Sequence, residues 1–296
     1  MGAPTAVCYF QQMAFALPHV TQHTAANDLS PFVHRVMHGV GVDGERCELQ
    51  IPPTGGVFLS YVPGSPLVVH FSDRVYAKQP RLFIGGQLRQ ERPVLRSTGR
   101  FELVGVELTP TAYYKLFQRP ASLVTDGIAD MATLHPAFTR HLAGCLHGHR
   151  DLGEIIAAFE TALRRQAENA IAAPVVDSLV NEITRQNGIV SVGKLFKRYD
   201  MTPRQLRRYF ERVVGVPAKY FAKICQVNSV IAVMLANDGD RLRSLALDHG
   251  FYDQSHFIRD FQTFVAMDPG AFLHDGSQFL RTYLGNVSRL VSPSPD

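Results

Sequence analysis

The sequence predicts an α+β fold, in which an N-terminal β-rich domain, barrel-like or sandwich-like and with added helices, precedes a C-terminal all-α domain. Three observations predict it. About the first 135 residues contain short apolar runs separated by Gly, Pro and Ser, which is typical of a sheet or barrel. From about residue 138 onward, apolar residues recur at helical spacing. After residue 174, one pattern of two short helices occurs twice.

Four β-strands are predicted, because four runs of β-forming residues each end at turn residues: 57–62, 67–71, 81–84 and 101–108. Thr109 and Pro110 are a suitable N-cap and first residue for a helix that runs through Phe117. A helical stripe at 152–163 follows, and Pro174 interrupts the pattern. We therefore expect one domain at 1–170, a second at 174–275, and a frayed tail at 276–296.

The segment after Pro174 predicts a helix-turn-helix unit. An apolar helical stripe comes first, and Ser191 then caps a short second helix. Asp200 and Met201 form a tight turn, and Thr202 caps a third helix that spans 203–214 and begins with proline. Two short helices joined by a turn of this length are the signature of the motif.

The same plan recurs about 50 residues later. Core positions match in pairs: Leu195 with Leu245, Met201 with Phe251, Leu206 with Phe257, Phe210 with Phe261, and Phe221 with Phe272. Two units in register rarely arise by chance. Between them, 217–236 carries a helical apolar stripe about 30 Å long. Since one turn of B-DNA is about 34 Å, such a helix can hold two recognition helices over successive major grooves.

Six side chains are the candidates for reading DNA bases. Opposite the apolar face of each third helix lie Arg204, Arg207 and Arg208 in the first unit, and Gln254, Ser255 and Arg259 in the second. Arginine can meet guanine O6 and N7 together, glutamine can pair with adenine, and Ile258 can contact a thymine methyl group. The alternative for either helix is a solvated polar face, which the repeat disfavours more for the first unit than for the second.

Charge is distributed unequally between the two units. Residues 191–223 contain nine Lys or Arg and two acids, a net charge of +7, whereas 224–275 contain three Arg and seven Asp, a net charge of −4. Phosphate attraction should therefore concentrate on the first unit. We expect the second unit to contribute less to affinity.

The segment 245–261, which reads LALDHGFYDQSHFIRDF, and the following 268–272, which reads DPGAF, resemble the AraC/XylS family of transcription regulators. The resemblance covers about 174–275. It implies two helix-turn-helix units joined by a long helix, sequence-specific binding of double-stranded DNA, and regulation of transcription. The six candidate residues match base-contact positions of the family.

The chain departs from the family pattern at four positions. Phe196 replaces a usual Ala, Asp200 and Ala266 each replace a Gly, and Gln226 replaces an Arg. Asp tolerates the left-handed backbone of such a turn better than most residues. These departures put local packing and one phosphate contact in question.

The front half is more weakly similar to an uncharacterised regulatory domain found before such tails, through 104–110 and 117–121. This implies a sensor or dimerisation domain with an undefined ligand. One hypothesis is a regulator that responds to a small-molecule effector. A second is a regulator without effector, in which the stripe of 151–165 is a homodimer interface; packing of that stripe inside its own domain is the alternative. RNA polymerase is a further candidate partner.

A third hypothesis, a metal-dependent enzyme with an appended DNA module, rests on one cluster: His135, His141, Cys145, His147 and His149. The alternative is a polar helix end, and we favour it. His19 and His23 could share a helix face, although a loop is as reasonable. No phosphate-loop or nucleophile-elbow motif is present, so we expect no enzyme, cofactor or metal site.

The four cysteines form no CxxC pair, and the chain shows no signal-peptide pattern and no apolar run long enough for a bilayer. We therefore expect a cytoplasmic protein without a membrane partner.

Overall fold

The computed structural model describes residues 19–41, 47–76, 79–97, 100–148, 151–236, 246–275 and 278–285. Its N-terminal part contains two antiparallel sheets. A six-stranded sheet has the order β1-β2-β9-β4-β7-β10, and a four-stranded sheet has the order β3-β8-β5-β6. The strands are His19–His23 (β1), Val33–Val40 (β2), Cys47–Gln50 (β3), Val57–Tyr61 (β4), Val68–His70 (β5), Val75–Tyr76 (β6), Leu82–Gly85 (β7), Val94–Ser97 (β8), Glu102–Leu108 (β9) and Ile128–Asp130 (β10).

The four predicted strands are β4, β5, β7 and β9, each shifted by at most one residue at either end. The sequence did not reveal β2, which lies between β1 and β9 in the large sheet. A buried arginine explains this, because Arg35 interrupts the apolar pattern and is only 4% exposed. The expectation of a helix or loop at 19–23 was wrong, since these residues form β1, which pairs with β2.

Four helices pack on one face of the six-stranded sheet: Ala112–Phe117 (α1), Met131–Leu134 (α2), Pro136–Leu146 (α3) and Leu152–Ala167 (α4). The predicted start of α1 was wrong. The helix begins at Ala112 after Thr111, and the Thr111 hydroxyl donates to Asp177 at 2.6 Å instead of capping α1.

The proposed dimer stripe on α4 packs inside its own domain, with Ile155 and Phe159 almost fully buried. These side chains are therefore not available as a homodimer interface.

Two members of the proposed metal cluster, His141 and Cys145, are engaged in contacts within the protein. His141 lies between Arg165 Nη1 at 3.0 Å and Cys145 Sγ at 3.9 Å. His149 lies outside the described residues. Within the described ranges, no group of three or more His, Cys, Asp or Glu could hold a metal ion.

The C-terminal part is helical: Pro174–Arg185 (α5), Val192–Phe196 (α6), Pro203–Val214 (α7), Ala218–Ala236 (α8), Gln254–Val265 (α9), Pro269–Asp275 (α10) and Gln278–Gly285 (α11). The first helix-turn-helix unit consists of α6 and α7. In the second, the described residues include only 246–248 of the first helix, followed by α9. None of the described helices is both long and apolar enough to cross a membrane.

The expectation of a frayed tail at 276–296 was wrong for Gln278–Gly285, which form a helix. Helix α11 packs against β1 and α8, and Tyr283 stacks on Phe58 with ring centroids 5.8 Å apart. Arg35 Nη2 donates to the Tyr283 carbonyl at 2.8 Å. The first part of the tail is thus an element of the core, while 286–296 lie outside the described residues.

One hydrophobic cluster joins the sheets to the second helix-turn-helix unit. It combines Met37 and Leu67 on the sheet side with Val227 of α8 and Phe257 and Phe261 of α9. The core of the second unit is therefore continuous with that of the β-rich part, whereas the first unit has its own cluster.

Candidate nucleic-acid interface and sensor cavity

Helix α7 begins with the cap that the sequence predicts. The Thr202 hydroxyl accepts from Gln205 N at 3.3 Å, and Gln205 Oε1 accepts from Thr202 N at 2.9 Å. This reciprocal capping box satisfies two backbone donors that a helix start leaves unpaired. Pro203 occupies the first turn, and Gly215 ends the helix with φ +93°. The recognition helix is therefore held at both ends by its own sequence.

The apolar face of α7 is completely buried and its opposite face is open. Leu206 and Phe210 have no exposed surface. Arg204, Arg207 and Arg208 are exposed, and none of the three forms a hydrogen bond or ion pair with a described residue. Three guanidinium groups without counter-charges on one helical face are suited to phosphate oxygens and guanine edges.

Helix α9 presents the second set of candidate residues. The Asp253 carboxylate caps it by accepting from His256 N at 2.7 Å. Gln254, Ser255 and Arg259 are exposed, with Arg259 Nε donating to the Ser255 carbonyl at 3.3 Å. All six candidate residues thus lie on exposed faces of the two recognition helices.

Two side chains of α9 face inward, and for Ile258 this differs from the sequence prediction. Ile258 is half-buried and packs against the cluster shared with the sheets, which makes it a poor candidate for a thymine contact. Asp260 pairs with Lys223 of α8 at 2.8 Å and with His256 at 3.3 Å. Both side chains attach α9 to the rest of the protein.

Helix α8 is the rod between the two units. Its 19 residues give a length of about 28 Å at 1.5 Å per residue, close to one turn of DNA. It is buried along most of its length, which restricts bending.

Gln226 of α8, where the family has Arg, is not positioned to contact phosphate. It is 6% exposed and donates to the His249 carbonyl at 2.7 Å. Ser229 Oγ lies 2.8 Å from His249 Nδ1, and burial lowers the pKa of this histidine. Gln226 and Ser229 therefore fasten the turn of the second unit to the rod.

The other departures also have structural consequences. Phe196 is buried in the hydrophobic cluster of the first unit. Its ring fills the space that the usual alanine would leave empty. Asp200 does not adopt a left-handed backbone, so the expectation for that turn was wrong. Gly250, at the equivalent position in the second unit, has φ +74°, and a Cβ there would lie 2.9 Å from Ile189.

Ala266 ends α9 with φ +58°, a left-handed conformation that costs a non-glycine residue about 1–2 kcal/mol. We expect Ala266→Gly to raise the free energy of unfolding by up to about 1 kcal/mol, because relief of this strain exceeds the added entropy of the unfolded chain. Urea denaturation measures the change. Ala157→Gly, at an exposed position in the middle of α4, is the control and should destabilise by up to about 1 kcal/mol. A decrease for Ala266→Gly would contradict this prediction.

A cavity of about 130 Å³ lies between the two sheets. Its walls are predominantly apolar and include Met37, Leu49, Leu67, Val69 and Phe101, with Tyr283 of α11 as an aromatic wall. Burial raises the pKa of the Tyr283 phenol. An engineered cavity of about 150 Å³ in another protein binds benzene, so the space is sufficient for a small organic molecule.

Two glutamines give the cavity a polar region. Gln79 and Gln87 line it and are 2% and 1% exposed. Both polar atoms of the Gln79 amide and Gln87 Oε1 have no hydrogen-bond partner among the described residues. Buried polar groups are normally paired because leaving one unpaired costs about 1–3 kcal/mol. These atoms are therefore available to a ligand, and no motif in the sequence indicated them.

Comparisons with known proteins bear on the C-terminal part. Residues 195–275 match the family model described as a helix-turn-helix domain. A search of curated proteins finds no match.

The solved structures that resemble the chain include three of ToxT from Vibrio cholerae. ToxT of strain O395 is 10% identical with a TM-score of 0.43, over 83% of this chain and 98% of that one. An apo structure of a ToxT variant is 9% identical with a TM-score of 0.46, over 81% and 97%. Wild-type ToxT solved with an unsaturated fatty acid is 11% identical with a TM-score of 0.39, over 87% and 94%. These likenesses are remote, and no conclusion about this chain rests on them.

The matched region contains both recognition helices and the rod between them. The C-terminal part of this chain accordingly contains a helix-turn-helix domain, the type of domain that places a recognition helix in the major groove of DNA.

Proposed function

We propose that this protein is a transcription regulator that reads an asymmetric DNA site with both recognition helices, and that a small molecule in the sensor cavity modulates the binding. In this proposal, 1–170 form the sensor, 174–275 the DNA-binding domain, and Arg204, Arg207, Arg208, Gln254, Ser255 and Arg259 contact bases. The observation that carries it is the pair of exposed polar faces on helices joined by one buried rod. The unpaired arginines of α7 supply most of the attraction to phosphate.

The direct test is selection of duplexes from a randomised library by the full-length protein. The full chain is needed because the core of the second unit is continuous with the sensor. We expect a bipartite site whose halves are about one helical turn apart, and an affinity that falls steeply as salt is raised. Enrichment no greater than that of random DNA would refute sequence-specific reading.

The effector we propose is a small and largely apolar molecule with one polar group. Apolar walls favour burial of hydrocarbon, while the unpaired Gln79 amide and Gln87 Oε1 favour one ligand group that both donates and accepts hydrogen bonds. Placing that group against these atoms would remove the cost of leaving them unpaired.

Two further partners are proposed. A homodimer and RNA polymerase are retained from the sequence, with no surface of the described residues assigned to either. We place the protein in the cytoplasm because its DNA target is there, and we propose neither an enzymatic reaction nor a cofactor. A regulator without effector is the second candidate; it is disfavoured because the unpaired Gln79 amide and Gln87 Oε1 lie at the cavity.

A further inference from the structure

The segment between β7 and β8 touches both the sensor cavity and both helix-turn-helix units. We call 87–93 the bridging loop. Its inner side consists of Gln87, Leu88 and Pro93, which line the cavity and are all buried. Gln87 Nε2 also donates to the Gly55 carbonyl, in the segment on which Phe221 and Ile224 of α8 pack. Movement of the cavity wall therefore acts directly on this loop.

The outer side of the bridging loop contacts the second recognition helix. Arg92 donates to the Thr263 carbonyl near the end of α9, through Nε at 3.0 Å and Nη2 at 2.8 Å. Its guanidinium carbon lies 5.7 Å from the centroid of the Phe264 ring. A cation at the C-terminal end of a helix is also favoured by the helix dipole. Arg92 thus holds the end of α9 opposite to Gln254 and Ser255.

The same loop contacts the first unit and the rod. Arg89 Nη1 lies 3.7 Å from the Glu211 carboxylate in the last turn of α7. The Tyr220 hydroxyl of α8 donates to the Arg89 carbonyl at 2.9 Å, and the Tyr220 ring stacks on Phe264 at 5.2 Å. One short loop therefore links the C-terminal ends of both recognition helices, one helical turn beyond Arg207 and Arg259.

The bridging loop has a fixed shape. The Asp126 carboxylate accepts from three successive backbone amides, those of Arg89, Gln90 and Glu91, at 2.5, 3.0 and 3.3 Å. Asp126 itself adopts a left-handed backbone with φ 55°. A loop held in this way moves as a unit, so displacement at its cavity side is transmitted to Arg89 and Arg92.

We propose that the bridging loop couples occupancy of the sensor cavity to the relative placement of the two recognition helices. The inference rests on the proposed function, because the cavity it reports on is the proposed effector site. Thermodynamic reciprocity requires that DNA binding in turn changes the affinity of the cavity for its ligand.

In the test, a larger side chain fills the cavity in place of a ligand. The measurement shows whether hydrogen exchange in α9 changes and whether that change depends on the bridging loop. Ser60, which lines the cavity and is 3% exposed, is replaced by leucine, with Ser60→Val as the milder filler. Each is made in the wild-type background and with Arg89→Ala/Arg92→Ala. The matched control background is Arg96→Ala, an exposed arginine of β8 that pairs with Glu48. Hydrogen exchange of the backbone amides of α9 is measured by mass spectrometry.

We expect the filler to change exchange at α9 by at least about threefold in the wild-type and Arg96→Ala backgrounds. In the loop variant the change should be absent. The proposal is overturned if a folded filler variant leaves α9 unchanged in the wild type, or if the change persists in the loop variant. The hydrogen-exchange experiment contains neither DNA nor effector. A failed library selection would therefore refute the proposed function without deciding the coupling. Unchanged exchange at α9 would refute the coupling without deciding whether the protein reads DNA.

Discussion

The triple variant Arg204→Ala/Arg207→Ala/Arg208→Ala is expected to lose more than about a hundredfold in affinity for the selected duplex. Each arginine that forms a bidentate contact with guanine contributes about 1–3 kcal/mol, and about 1.4 kcal/mol corresponds to a factor of ten. The salt dependence should also weaken, because fewer counterions are released. Titration of labelled DNA at several salt concentrations measures both effects.

The control for this variant removes the same charge elsewhere. Arg81, Arg119 and Arg140 are exposed residues of the β-rich part, and their triple alanine variant should bind DNA within about threefold of the wild type, since distant charges are screened. Both variants should unfold at nearly the wild-type temperature, because the substituted positions are exposed. Equal losses for the two variants would refute base and phosphate contacts by α7.

Replacing Arg35 by methionine is expected to lower the free energy of unfolding by about 3–5 kcal/mol. Arg35 Nε lies 2.5 Å from Glu107 Oε2, and the two side chains are 5% and 0% exposed. Removing one partner leaves a buried charge without compensation, which has costs of this size in other proteins. The variant also loses the hydrogen bond to the Tyr283 carbonyl that holds α11. Urea denaturation followed by circular dichroism measures the change.

The double variant Arg35→Met/Glu107→Leu separates the two contributions. With both charges replaced by apolar groups, most of the loss should be recovered, because buried ion pairs are often replaceable by packed hydrocarbon. A residual loss would be attributable to the attachment of α11. If the single variant were as stable as the wild type, the ion pair would not be part of the buried core.

Signals within the sequence specify the local structure of the two recognition helices. The Thr202 cap, Pro203 and the apolar spacing of Leu206 and Phe210 specify the start of α7, its length and the face that is buried, because all these signals act within one helix. The repeat then predicted α9 and the rod, and the exposed positions of all six candidate residues followed from helical periodicity.

The connection of these helices to the sensor depends on contacts between residues that are far apart in the chain. Arg92 meets the Thr263 carbonyl 171 positions away, and Tyr220 meets the Arg89 carbonyl 131 positions away. Strand β2 and helix α11 depend on the buried Arg35, whose partners are Glu107 and Tyr283. Local patterns contain no information about such pairs, since burial of a charge or an amide becomes favourable only when a distant residue completes its hydrogen bonds.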